Sequence, residues 1–353
     1  MNIRTGYTEA TEAYQLPRLV RLAPNLYAAC FTLMKMIPAR YILRKAAADG
    51  RLEPGTVIVE TTSGTFGLAL AMQAVHLDRP LILVSDPVID ERLHRRLADL
   101  GAVVDTVPAA AGAGAGGYQA ARLHRLEQVK AEHPATFCPE QYSNPDNPRS
   151  YAAVAELLVE CLGQVDCVVG PVGSGGSMCG TTAYLRSVLP ECRALGVDTQ
   201  CSVLFGHPEG HRELRGLGMS VMPANVDHTV FDGVHWCSAS AAYAATRQLH
   251  RRHALFMGPT SGAAYLVGRW WASANPAALT VVLMPDEGYR YLDTVYDDEW
   301  LAARGHADRP LPVEPVPVDD PRRPAGPWSA YDWGRRSYDQ VMAAAAGDPV
   351  GVP

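Results

Sequence analysis

Lysine is nearly absent from this chain: among 31 basic residues there are only Lys35, Lys45 and Lys130. Each lysine's setting is therefore informative. No basic stripe of the kind that neutralises a phosphate backbone is present, and 37 acidic residues leave the chain mildly acidic, which argues against nucleic acid as a partner. No apolar run approaches the roughly 20 residues that cross a bilayer, so no membrane partner is expected. Residues 1–17 are polar and mixed in charge, without the apolar core of a signal peptide, and a cytoplasmic protein is expected. Eight cysteines (Cys30, Cys138, Cys161, Cys167, Cys179, Cys192, Cys201 and Cys237) lack the CxxC pairs or His-rich spacing of a metal site. They are read as reduced, each a small buried hydrophobe rather than a reactive thiol, and no metal is expected.

What the chain does have is enough apolar sequence to build a large core: 353 residues at 48% hydrophobic content predict about two domains. Short apolar, β-branched runs at 57–60, 81–84, 103–107, 167–170, 194–197 and 280–284 read as buried parallel strands. Between them, segments such as 89–100 and 151–162 carry apolar residues at three- and four-residue spacing, as crossover helices do, so the fold class is α/β. Beyond residue 303 the pattern changes. Six prolines from Pro310 to Pro324 predict an extended, surface-hugging tail rather than a core element. The aromatics after it, Trp328, Tyr331, Trp333 and Tyr338, predict that the tail docks, with a neighbouring subunit as one candidate surface.

Three glycine-rich turns follow predicted strands or open helices. In Glu60-Thr61-Thr62-Ser63-Gly64-Thr65-Phe66-Gly67, hydroxyls and glycines precede an Ala/Leu-rich helix, an arrangement that presents N–H groups to a carboxylate or phosphate; an ordinary capped turn is the alternative. In Gly170-Pro171-Val172-Gly173-Ser174-Gly175-Gly176-Ser177, the glycines let the backbone curl round an oxyanion, with Ser174 and Ser177 as extra donors. No Gly-Lys-Ser/Thr follows, so this is not a P-loop. The third turn, Gly258-Pro259-Thr260-Ser261-Gly262, taken alone reads as a capped helix start.

Lys45 and Lys130 fall in charged segments and read as solvated. Lys35 does not: Leu33-Met34-Lys35-Met36-Ile37 surrounds it with apolar side chains, a costly place for an ammonium unless it is paired or neutralised. A desolvated lysine suits imine chemistry, because the neutral amine is the nucleophile. The competing reading is a lysine snorkelling from an amphipathic helix.

Lysine, hydroxyl-rich loop and phosphate loop in this order resemble the cysteine synthase and cystathionine β-synthase group of pyridoxal-phosphate enzymes, fold type II. The resemblance runs from about residue 16 to 301. It takes in Leu16-Pro17-Arg18-Leu19-Val20-Arg21-Leu22, Lys35 with Pro38-Ala39, Thr62-Ser63-Gly64, Gln141-Tyr142 with Asn144-Pro145 and Asn147-Pro148, and the glycine loop. It continues through Arg215-Gly216-Leu217-Gly218, Thr260-Ser261-Gly262-Ala263 and Pro285-Asp286 with Arg290-Tyr291-Leu292. The wording is nearest to the S-sulfocysteine synthase-like, O-phosphoserine-using branch.

The resemblance implies a tryptophan synthase β-like fold of two three-layer α/β/α domains with largely parallel sheets. Residues 1–45 with 150–302 would form the large cofactor domain, 46–149 a smaller mobile substrate domain, and 303–353 an extension. It implies pyridoxal 5'-phosphate as cofactor, a homodimer, and β-replacement on an activated L-serine through an aminoacrylate, with a small nucleophile as second substrate. Lys35 would be the Schiff-base lysine and proton shuttle. Gly173, Ser174, Gly175, Gly176 and Ser177 would hold the phosphate, Thr260 the ring nitrogen, and Thr65 the position facing the phenolic oxygen. Thr62, Ser63, Gly64, Phe66, Gln141 and Gly216 would meet the substrate. Arg215 would favour O-phospho-L-serine over the acetyl ester, since a guanidinium binds phosphate bidentately.

The chain also departs from the family wording. Lys35-Met36-Ile37 stands for Lys-Asp-Arg, Thr65-Phe66 for Asn-Thr, and Tyr151-Ala152-Ala153 for Thr-Thr-Gly. These changes point away from plain cysteine synthesis towards thiosulfate, an amine or an amino acid such as glutamate as nucleophile. A serine/threonine dehydratase-like lyase and a non-catalytic binding homologue are the competing classes.

Overall fold

The computed structural model describes residues 6–346 apart from 63, 115 and 215. Its strands are β1 (Arg18–Ala23), β2 (Leu26–Cys30), β3 (Val57–Thr61), β4 (Leu81–Ser85), β5 (Val103–Thr106), β6 (Thr136–Phe137), β7 (Cys167–Pro171), β8 (Arg193–Asp198), β9 (Gly233–Cys237), β10 (Thr280–Met284), β11 (Val316–Pro317) and β12 (Trp328–Asp332). The helices are α1 (Met36–Ala48), α2 (Thr65–Leu77), α3 (Glu91–Asp99), α4 (Gly117–Glu132), α5 (Asp146–Arg149), α6 (Ala152–Leu162), α7 (Gly176–Val188), α8 (Ala239–His253), α9 (Pro259–Ala274), α10 (Asp298–Ala303) and α11 (Tyr338–Ala346).

Two sheets organise the chain. One runs β1-β2-β10-β7-β8-β9-β12-β11, parallel throughout its centre from β2 to β9; the other, β5-β4-β3-β6, is wholly parallel. Central strands buried on both faces read as continuous apolar runs. Thr280-Val-Val-Leu-Met and Cys167-Val-Val-Gly-Pro are such runs, buried at every position. Helices cover the faces because their apolar stripes fit: Leu93 and Leu97, four apart, are the buried residues of α3, whose start is set by Asp90 accepting the Leu93 N–H at 2.9 Å. None of the described helices is long and apolar enough to cross a membrane.

The predicted strands are all present, within one residue at either end, but β5 is not buried: it sits at the edge of its sheet, with Val103 60% exposed. The antiparallel β1–β2 hairpin and β9 are additional. β9 escaped periodicity because Gly233 and His235 interrupt its apolar run, although all five of its residues are buried. Lys45 is not simply solvated: its Nζ lies 2.7 Å from Asp146 and ties α1 to α5.

The Pro-rich stretch keeps to the surface, mostly exposed or half-buried from 304 to 327, and the aromatics beyond it dock as expected, entering the core. β12 pairs antiparallel with β9 and closes what would otherwise be an open sheet edge, with Trp328 and Trp333 completely buried. It docks on its own chain. The reason is that β9 would otherwise present unpaired backbone groups along its outer edge, which β12 pairs while burying Trp328.

Candidate active site

The site follows from strand direction. Because β2, β10 and β7 run parallel, their C-terminal ends share one edge of the sheet, and the residues just beyond them meet there. Lys35 comes after β2, Gly173 after β7 and Pro285 after β10; β3 of the second sheet brings Thr62 to the same cleft. All four line one cavity of ≈ 820 Å³ between the sheets.

Lys35 stands at the start of α1. Its loop is fixed by Phe31 N–H donating to Met284 O and Met34 N–H to Pro285 O, both at 2.9 Å. The Nζ donates to Ser174 Oγ at 3.1 Å. Its side chain keeps some access to the cavity, but the amine is enclosed. Burial brings its pKa down to about 8, against an opposing pull from the Glu60 carboxylate. That pull is weak because burial also raises Glu60, to about 7, so near neutrality much of it is uncharged. Desolvation wins, and an uncharged nucleophilic amine is accessible at ordinary pH.

The glycine loop fits an anion for steric reasons. Gly175 sits at φ +86°, and a Cβ there would lie 2.4 Å from the Asn225 carbonyl; at Gly176 it would lie 2.0 Å from Asn147 Oδ1. Any other residue at these positions would push the chain apart. The loop delivers directly into α7, whose first-turn N–H groups have no intrahelical acceptor and carry the positive end of the helix dipole. Ser174 Oγ also accepts from Asn147 Nδ2 at 3.2 Å, and Asn147 Oδ1 has no hydrogen-bond partner among the described residues. An amine with a lowered pKa beside a glycine cradle at a helix N-terminus is what an aldehyde-and-phosphate cofactor requires. The residues fit pyridoxal phosphate.

The remaining predicted residues are distributed as follows. Thr62 Oγ1 accepts from Gly64 N–H at 3.1 Å and Gly67 N–H at 3.3 Å, which shapes the turn into α2 and leaves its hydroxyl proton to donate. Gly64, Thr65, Gln141, Ser177, Gly216 and Thr260 line the cavity. Gln141 is fixed by Nε2 donating to Thr61 O at 2.9 Å and its N–H donating to Glu60 at 3.1 Å. Phe66 borders the cavity, but it is only 2% exposed and belongs to the core cluster with Leu33 and Met36. Ser63 and Arg215 lie outside the described residues.

Sequence reading missed Arg122. It lines the cavity from α4 and is 3% exposed, with Nη1 3.3 Å from Asp86 Oδ2; Nε and Nη1 have no hydrogen-bond partner among the described residues. Tyr142 stands nearby, its phenol pushed up by burial and pulled back by the Arg122 charge. A signal was available: Arg122 shares the buried stripe of α4 with Leu126 and Val129, and an arginine on an apolar stripe needs an anionic partner.

The fold and this cleft, with a buried lysine beside a glycine cradle, define the class of a cofactor-dependent α/β enzyme. The model for the family described as pyridoxal-phosphate dependent enzyme matches residues 34–284, and the chain belongs to that family. It is 34% identical over 299 residues to N-(2-amino-2-carboxyethyl)-L-glutamate synthase of Ralstonia nicotianae, covering 81% of this chain and 88% of the relative. It is 29% identical over 256 residues to the cysteine synthase of Helicobacter pylori, covering 72% and 82%. Among solved structures, the O-acetylserine dependent cystathionine beta-synthase of Helicobacter pylori superposes with a TM-score of 0.75 at 26% identity, over 83% of this chain and 99% of that one. The chain is a pyridoxal-phosphate-dependent, transferase-type enzyme with the fold-type-II architecture.

Proposed function

We propose that the enzyme replaces the phosphate of O-phospho-L-serine with the amine of an amino acid, glutamate being the test case. One observation carries the choice of donor: Arg122, at the wall of the Lys35 cavity, is buried beside the Asp86 carboxylate, with its Nη1 3.3 Å from that carboxylate but without hydrogen-bond geometry, and with its Nε lacking a hydrogen-bond partner among the described residues. A doubly charged phosphate supplies what Arg122 lacks, whereas an acetyl ester leaves it unsatisfied. The choice of nucleophile is supported by the name of the Ralstonia relative, whose product joins an alanyl carbon to a glutamate nitrogen.

In this reading Lys35 holds the cofactor, the Gly173–Ser177 loop with the N-terminus of α7 takes its phosphate, and Thr260 supplies the hydroxyl for its ring nitrogen. When bound, pyridoxal phosphate supplies an electron-accepting ring conjugated to the substrate amine. Thr62, Ser63, Gly64 and Gln141 orient the substrate carboxylate, and Thr65 faces the cofactor's phenolic oxygen. The Lys35 amine takes the Cα proton and stores it. Arg122 stabilises the phosphate as it leaves with the C–O electron pair. The incoming amine forms the new bond to Cβ and gives up its proton, and Lys35 returns its own proton to Cα. A homodimer belongs to the same proposal and is checked by light scattering.

The test offers holoenzyme O-phospho-L-serine or O-acetyl-L-serine, each with glutamate or sulfide, and assays the products by mass spectrometry. Phosphoserine with glutamate should dominate. Equal or better use of the acetyl ester overturns the donor, a preference for sulfide overturns the nucleophile, and pyruvate alone supports an eliminating lyase.

A further inference from the structure

One stretch of the cavity wall is not self-supporting. Gly218 and Met219 line it, and Gln119 of α4 meets its far end: Gln119 Nε2 donates to Met219 Sδ at 3.3 Å and its Oε1 accepts the Ser220 N–H at 2.5 Å. Behind this wall lies the short turn Val203–Phe205. Ser202 Oγ accepts the Met219 N–H at 3.1 Å, and Val203 N–H donates to Met219 O at 3.0 Å, so Met219 moves only if that turn moves.

The turn is in turn clamped by the end of the chain. Phe205 packs edge-on against Trp333 at 5.1 Å, and His228 lies 5.1 Å from Tyr338 and gives its Nε2 to Leu204 O at 2.8 Å. Gly206, at φ +95°, is packed by the end of the Met342 side chain, whose Cε would lie 2.8 Å from a Cβ there. Arg335 anchors the segment by donating to buried Asp232 at 2.8 Å.

We propose that residues 333–342 act as a brace for the Gly218–Met219 wall, and that Trp333 and Met342 are positioning residues that keep water out while the nucleophile adds. The proposal rests on the β-replacement reading. In a close-packed interior, loss of a supporting side chain is transmitted to its neighbours rather than absorbed.

Trp333→Leu and Met342→Ala holoenzymes are assayed for cofactor content and for the ratio of pyruvate to replacement product, with Val313→Ala on the exposed part of the tail as control. Cofactor content should stay at the wild-type level, while the pyruvate share should rise about tenfold for Trp333→Leu and less for Met342→Ala, as expected for an ångström-scale loss of fit. A folded variant that loses both products in proportion, with an unchanged ratio, overturns the brace. If Trp333→Leu does not fold, Met342→Ala decides alone. Hydrogen exchange at 203–219, measured on the same variants, must accelerate if the brace exists, and it reads the brace even if wild-type enzyme makes no replacement product, which would instead sink the β-replacement reading.

Discussion

At the scale of single residues, the proposed chemistry rests on two basic side chains whose environments differ in kind. Lys35 is surrounded by apolar groups and a hydroxyl, so its charge is discouraged; Arg122 is buried beside Asp86 with its Nε lacking a hydrogen-bond partner among the described residues. Lys35→Ala should therefore abolish covalent retention of the cofactor: after borohydride reduction, intact mass should show the cofactor on wild-type protein and none on the variant. Arg122→Gln should raise the KM for O-phospho-L-serine by roughly 10- to 200-fold, the consequence of losing about 1.5–3 kcal/mol of charge-assisted hydrogen bonding, and leave that for O-acetyl-L-serine nearly unchanged. An equal effect on both donors would mean that Arg122 supports the fold rather than the substrate.

At the scale of elements, the turns between strands and helices decide what the site can hold. Gly176 exists because Asn147 occupies the space of a side chain, and Asn147 is in turn held by donating to Gln141 O at 2.7 Å. Gly176→Ala should thus weaken cofactor binding, read by fluorescence titration of the cofactor-free protein, while a Gly163→Ala change at an open surface turn should leave binding intact. β12 makes the complementary case. Trp328 is fully buried between β9 and Trp270, and its truncation to alanine should destabilise the fold by about 3–5 kcal/mol in urea unfolding.

At the scale of the whole molecule, buried ionisable groups give stability an unusual pH dependence. Burial raises Glu60 from its ordinary 4.5 to about 7 and Asp198 from 3.8 to about 7, so the folded protein binds the extra protons, and their contribution is lost as pH climbs between those values. Lys35 is lowered from its ordinary 10.5 to about 8, so the unfolded chain binds the extra proton, and stability is regained as pH climbs from about 8 to 10.5. Cofactor-free protein should show a stability minimum between about pH 7 and 8 in urea titrations, and Glu60→Gln should lessen the slope of its acidic side, leaving the part that Asp198 contributes. The two sheets are also joined by surface charge, Arg92 of α3 pairing with Asp293, a contact that salt weakens.

The α/β class, the buried parallel strands and the distinction of Lys35 were legible in the sequence because each depends on local order: periodicity, turn residues and the apolar neighbours of one lysine. Only the tertiary structure decided which side chains share the cleft. Arg122 lies 87 positions beyond Lys35 on a helix that looked solvated, and its exposure depends on what α4 packs against rather than on its neighbours in the chain. The fate of the tail was equally non-local. Its prolines announced an extended surface segment, which is present, but whether the aromatics beyond it docked on a neighbouring subunit or completed this chain's own sheet depended on β9 having an edge to offer. Burial is a property of packing, and both features are matters of burial.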